Sequence, residues 1–204
     1  IIRIDHFRGF EAYWAVPYGD DTAINGQWEP GPGIDLFNAI KSQLGELPII
    51  AEDLGLMTQG VIDLREATGF PGMKILGFAF DSGEENDYLP HTYTRNCVVY
   101  TGTHDNDTLV GWFQKAKKED KEFARNYLNS RADEEIHWDA IRGAWSSVAC
   151  MAISPVQDFL GLGSEARINT PGVASGNWQW RLKQGVLTDE LAEKIAKLTK
   201  IYSR

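Results

Sequence analysis

Cysteine is scarce. The 204-residue chain has two, Cys97 and Cys150. No Cys-x-x-Cys pair and no Cys/His cluster offers the spacing of a zinc site. Each cysteine sits beside an apolar run, Val98–Tyr100 or Met151–Ile153, and both are expected to be buried free thiols of a reducing compartment. No apolar run approaches the roughly 20 residues of a membrane-spanning helix. No signal peptide is visible, although a chain that opens inside a strand would not display one. There is no GxSxG elbow, P-loop or GxGxxG, so the usual signatures of serine hydrolases, phosphate cradles and dinucleotide sites are missing. Positive charge is in the minority, with 20 Lys+Arg against 29 Asp+Glu and a net charge of −9. An acidic protein repels phosphate backbones, which makes nucleic acid a poor partner. No internal repeat or low-complexity tract is found.

Aromatic residues are plentiful, with seven tryptophans and seven tyrosines. Flat rings suit the apolar faces of sugars, and they equally fill cores and anchor loops. The first residues, Ile1-Ile2-Arg3-Ile4-Asp5, read as the middle of a strand with no lead-in. An N-terminally truncated chain is therefore expected.

Five short runs rich in Ile and Val stand out: Ile1–Ile4, Leu47–Ala51, Met73–Phe80, Cys97–Tyr100 and Cys150–Ile153. They do not alternate clearly, which is how strands buried on both faces read. Helical spacing lies between them. Ile34, Phe37, Ile40 and Leu44 form one stripe that stops at Gly45, and Val61, Leu64 and Ala67 form another before Gly69. Further helices are expected over Leu109–Ala116, Phe123–Leu128 and Ile136–Val148, and after the N-cap Thr188. Strand and helix in alternation predict an α/β fold with a parallel sheet. The stretch from His6 to Gly33 has no helical period and reads as a long loop. Its aromatics at 10, 13 and 14 argue for a functional loop over a disordered one.

Polar residues gather where these strands end. The first ends in Asp5-His6, the second in Glu52-Asp53, the fourth in Thr103-His104-Asp105-Asn106-Asp107 and the fifth in Gln157-Asp158. Parallel α/β sheets bind ligands at those ends. A single acid there is usually a helix cap, but several such clusters call for another account. Paired carboxylates flanking an acetal supply a nucleophile and a proton donor, and in retaining glycosidases they stand about 5–5.5 Å apart. A third can favour the cationic transition state. Glu52, Asp53, Asp105, Asn106 and Asp107 would equally suit an oxygen-rich Mg²⁺ or Mn²⁺ site, and residue types alone leave both uses open.

Longer motifs are more specific. Arg3-Ile4-Asp5-His6-Phe7-Arg8-Gly9 with Glu11-Ala12-Tyr13-Trp14 resembles the fourth barrel strand of the amylomaltases, or 4-α-glucanotransferases. Ala51-Glu52-Asp53-Leu54-Gly55 resembles their fifth. Gly69-Phe70-Pro71-Gly72-Met73-Lys74 resembles the approach to the sixth, and Thr101–Thr108 the seventh. Gln157-Asp158 through Ala166-Arg167-Ile168-Asn169, with Asn177-Trp178, is similar to the end of the barrel. The motifs stand in family order and cover almost the whole chain.

The resemblance implies a fold, an α/β (β/α)₈ TIM barrel of which residues 1–204 are a partial domain, about strands 4 to 8. A complete barrel takes about 250 residues. It implies Asp5 as nucleophile, Glu52 as acid then base, and Asp105 as transition-state stabiliser. Arg3 would pair with Asp5, keeping it ionised and oriented; His6 and His104 would bind sugar hydroxyls, and Trp14 and Asn169 would contact substrate. No metal or cofactor is implied. The partners would be α-1,4-glucans and maltooligosaccharides, the compartment the cytoplasm, or the plastid in a plant. An amylase-type hydrolase, a non-catalytic glucan-binding piece and a metal-dependent lyase or aldolase are the alternatives. Five strands of a closed sheet would leave edges unpaired, so this chain alone is expected to be poorly stable and inactive.

Overall fold

The computed structural model describes residues 1–55, 57–81 and 86–204. It divides into two compact units, residues 1–73 and 74–204.

In the first unit, strand β1 (Ile2–Ile4) pairs in parallel with β4 (Ile49–Ala51), in the register Arg3↔Ile50 and Ile4↔Ala51. Between them lies an antiparallel ribbon, β2 (Ala12–Ala15) against β3 (Gln27–Pro30). The ribbon occupies the stretch expected to be a loop. The connection between its strands, residues 16–26, is eleven residues long, far beyond a two-residue hairpin loop, and its Asn25-Gly26 pair lies directly before β3 instead of alone between two strand-like runs.

Helix α1 (Gly33–Leu44) buries Phe37, and Gly45 ends it at φ 76°, its N–H returning to the Lys41 carbonyl. Helix α2 (Gln59–Thr68) is capped at both ends. Thr58 Oγ1 accepts the Val61 N–H, and Gly69 takes the left-handed C-terminal position at φ 71°. Phe7, Phe37, Ala51, Val61 and Leu64 form the core, with Phe10 and Phe70 packed against it. Burying a ring such as Phe7 stabilises by about 1.5–3 kcal/mol.

Strand β5 (Gly72–Ile75) runs across the division at Met73/Lys74. It heads the order β5-β6-β7, in which β6 (Cys97–Tyr100) and β7 (Met151–Ile153) are parallel. The expected strand over Met73–Phe80 stops at Ile75 and gives way to a 3₁₀ turn at Leu76–Phe78. Leu76, Ala79 and Phe80 are all buried, and their spacing of three and four suits a helical turn better than a strand.

Helices α3 (Leu109–Lys115), α4 (Lys118–Leu128) and α5 (Ile136–Ser146) follow β6. The short α6 (Val156–Phe159) follows β7, and α7 (Asp189–Ile201) starts on a Thr188 cap. Phe80, Val99, Leu109, Ile141 and Trp145 centre the core of this unit. Cys97 is buried there, but Cys150 is exposed, a correction to the expectation of two buried thiols. It occupies the turn just before β7, where its thiol donates to the Cys97 carbonyl at 3.1 Å. No helix among the described residues is long and apolar enough to cross a membrane.

Candidate active site

The β1–β4 ladder continues past both strands. Glu52 N–H donates to the Ile4 carbonyl and Phe7 N–H to the Glu52 carbonyl, each at 2.9 Å. These bonds hold Asp5, His6 and Glu52 side by side. His6 adopts the left-handed region, φ 47° and ψ 51°, which non-glycine residues adopt at a cost of about 1–2 kcal/mol. The His6 N–H donates to Glu52 Oε2, 2.6 Å away. Oε1 of the same carboxylate accepts the Leu54 N–H at 3.0 Å. Partial burial pushes the Glu52 carboxyl above its usual value. The charge of Asp5 adds to this, while the two N–H donors and Arg3 work against it.

Asp5 is far more open, with 76% of its side chain exposed, and its Oδ1 accepts from Arg3 Nη2 at 2.9 Å. Behind Glu52, the neighbouring Asp53 turns inward. Its Oδ1 accepts the Met73 N–H at 2.7 Å and its Oδ2 faces Arg65 Nη1 at 3.2 Å. Gly72 makes room for this pair: a Cβ there would lie 2.3 Å from Asp53 Oδ2.

Trp14 lies on β2. Its Nε1 donates to the Ala23 carbonyl, and its ring meets Trp28 edge-on at 5.4 Å. Tyr13, Trp14 and Trp28 each leave much of their surface exposed. The guanidinium of Arg8 lies over the Trp28 ring at 4.4 Å.

At the end of β6 the chain folds on itself. Asn106 Oδ1 accepts both the N–H and the hydroxyl of Thr103, and Thr103 Oγ1 accepts the Asp105 N–H. The segment from Arg167 to Asn169 then braces His104 and Asp105. Asn169 N–H donates to the His104 carbonyl, Asn169 Nδ2 to Asp105 Oδ1, and Arg167 Nη2 to the Asp105 carbonyl. His104 Nε2 is 3.4 Å from Asp105 Oδ2, and the imidazole lies against Trp178, ring centres 5.0 Å apart. Trp178 itself holds φ 63°, an unusual backbone for a bulky residue.

The structure thus assembles the predicted residues in two groups, Arg3, Asp5, His6 and Glu52 in one and His104, Asp105 and Asn169 in the other. Asp53 and Asp107, counted earlier among possible metal ligands, have protein donors of their own. Burial pushes the Asp107 carboxyl up, but Lys115, Ser164 Oγ and the Thr108 N–H outweigh it and hold it below the usual range. Sequence reasoning gave no role to Asp158 or Arg167 and none to Asp53 beyond possible metal ligation, although all three fall inside the quoted motifs.

Parallel strands alternating with helices, with acidic groups braced by backbone donors at the strand ends of each unit, define an α/β protein. The chain belongs to the 4-alpha-glucanotransferase family, which it matches over residues 1–188. It is 56% identical over 205 residues to a 4-alpha-glucanotransferase of Clostridium butyricum, covering all of this chain and 42% of that one. It is 50% identical to a chloroplastic/amyloplastic 4-alpha-glucanotransferase of Solanum tuberosum, covering 98% of this chain and 35% of the relative. Among solved structures, it matches an amylomaltase from Streptococcus agalactiae in complex with acarbose. The TM-score is 0.94 at 41% identity, with 99% of this chain and 41% of that one covered. An amylomaltase from Corynebacterium glutamicum, at 17% identity and a TM-score of 0.76, shares the fold. The chain spans about two fifths of the length of the bacterial relatives it matches.

Proposed function

We propose that the complete protein is a 4-α-glucanotransferase that moves α-1,4-glucan segments between maltodextrins with retention of configuration. The observation that carries this reading is the contrast between two adjacent carboxyls. Glu52 is partly buried and pushed up, while Asp5 is open and oriented by Arg3. One acid that holds its proton more tightly beside one placed to attack is the division of labour of a double displacement. In this reading residues 1–204 form one domain, the fourth to eighth strands of a (β/α)₈ barrel. The chain on its own is poorly stable and inactive.

In the first half, Asp5 attacks the anomeric carbon of a bound glucan and Glu52 gives its proton to the departing glycosidic oxygen. A glycosyl ester forms on Asp5 and the reducing-end piece leaves. In the second half, Glu52, now a carboxylate held by the His6 and Leu54 N–H groups, takes the proton of an acceptor 4-hydroxyl. The acceptor oxygen attacks the anomeric carbon of the glycosyl ester, forming the new glycosidic bond as the bond from that carbon to the Asp5 oxygen breaks and frees Asp5. Asp105 stabilises positive charge on the sugar in both steps. Arg3, His6, His104, Asn169 and Trp14 bind or orient the glucan. Water competes with the acceptor, and transfer wins where aromatic rings such as Tyr13, Trp14 and Trp28 seat a second chain.

The test is to trap the ester. Glu52→Gln in the complete protein, given a maltosyl fluoride donor that leaves without a proton, should accumulate glycosyl-enzyme. Peptide mass spectrometry should place the sugar on Asp5. Label on another residue, or no label with the donor consumed, overturns the nucleophile assignment.

A further inference from the structure

Asp158 is a carboxylate that the proposed mechanism does not use. It is 2% exposed and sits at the start of α6, beyond β7. Oδ2 accepts the Thr101 hydroxyl at 2.6 Å, and Oδ1 accepts the Leu109 N–H at 2.9 Å. Thr101 is the first residue after β6 and Leu109 the first of α3. The segment between them, 102–108, carries His104 and Asp105. One buried side chain therefore fastens both ends of that segment.

We propose that Asp158 is a positioning residue that holds the 102–108 segment, and with it His104 and Asp105, in working geometry. The inference rests on reading Asp105 as a carboxylate that acts on the sugar.

The surrounding bonds support this assignment. Leu109 N–H is one of the unpaired donors at the head of α3, and Thr108 Oγ1 takes another, from Gly111 at 3.0 Å. The segment's far end is thus anchored twice. At the near end, Thr101 Oγ1 also lies 3.0 Å from Ser154 Oγ on the turn after β7. A hydroxyl has one hydrogen, so when Thr101 donates to Asp158 it accepts from Ser154. The reverse order also works: a protonated Asp158 donates to Thr101, which donates to Ser154. Burial and the charge of Asp107 favour that protonated form, while the Leu109 and Thr101 donors oppose it. The clamp therefore needs shape and two hydrogen-bonding atoms, and it does not need charge.

That distinction gives the test. Asparagine keeps an oxygen for Leu109 N–H and presents an amide to Thr101. Alanine keeps neither. In the complete protein, Asp158→Ala should lower kcat for maltotriose by about tenfold or more, with KM changed less than about threefold. Asp158→Asn should stay within about threefold of wild type. Hydrogen exchange supplies a readout that needs no activity. In Asp158→Ala, amides 103–109 should exchange at least about tenfold faster while those of β6 keep their protection. If Asp158→Ala does not fold, Thr101→Val removes the near anchor alone and should show the same direction in kcat and exchange. Unchanged kcat and exchange in the alanine variant, or equal losses in alanine and asparagine, overturn the proposal. Wild-type protein that transfers no glucan overturns the reading of the reaction, while the exchange experiment still decides the clamp.

Discussion

His6 N–H donates to Glu52 Oε2 at 2.6 Å, and His6 holds a left-handed backbone at φ 47° that carries the chain on to Phe7, whose N–H donates to the Glu52 carbonyl. The backbone of residue 6 therefore serves the acid, whatever its imidazole does for the sugar. Glycine takes this conformation freely and a β-branched residue does not. His6→Gly should raise KM for maltotriose while kcat falls less than about tenfold. His6→Val should lose kcat as well, and melt lower, because strain of about 1–3 kcal/mol moves the donor. Steady-state kinetics and thermal melts of the two variants check this.

The pH profile follows from Glu52. Its carboxyl is pushed up chiefly by burial, so the proton is held above the usual carboxylate range. The favourable term for folding is present below the ordinary carboxylate pKa and is lost as pH rises through the raised value. Donor cleavage needs the same proton. With maltotriose, kcat/KM should fall on the alkaline side through the raised Glu52 value. Glu52→Gln should lower it about 10²–10⁴-fold and erase that limb for a fluoride donor. An alkaline limb that survives the substitution assigns it to another group.

Arg3 and Asp5 are bonded at 2.9 Å, but the aspartate is mostly in solvent. Exposed pairs contribute about 0–1 kcal/mol to stability. Arg3→Gln should leave the melting temperature nearly unchanged and lower kcat by about tenfold or more, because the attacking carboxylate loses its orientation. A large drop in melting temperature with normal kcat would make the pair structural.

Gly72→Ala tests the buried Asp53–Arg65 pair. The added methyl would sit 2.3 Å from Asp53 Oδ2 and 2.7 Å from Arg65 Nη1, so one partner must move. Overpacking of this kind costs about 1–3 kcal/mol. Urea unfolding of the complete protein should show a loss of that size.

The helices were legible because stripe and cap agree. Ile34, Phe37 and Ile40 run up to Gly45, and Thr188 caps as the sequence suggests. The parallel pairs β1–β4 and β6–β7 follow from Ile- and Val-rich runs separated by helices. The β2–β3 ribbon was hidden because an eleven-residue connection separates its strands, so the Asn25-Gly26 pair does not stand as a tight turn between two strand-like runs. Residues 76–80 were misread because an apolar run does not distinguish a strand from a helical turn. The acids Asp5, Glu52 and Asp105 announce themselves at strand ends. Asp158 also stands at a strand end, but its part in the fold was not legible, since its partners Thr101 and Leu109 are some fifty residues away in sequence and meet it only in the folded chain.

Glucan transfer is tested most directly by incubating the complete protein with maltotriose and resolving the products by length over time. The account predicts a ladder of longer maltodextrins together with released glucose, as acceptor sugars capture the glycosyl group. Glucose and maltose alone, with no chain longer than the substrate, would make water the acceptor and contradict it.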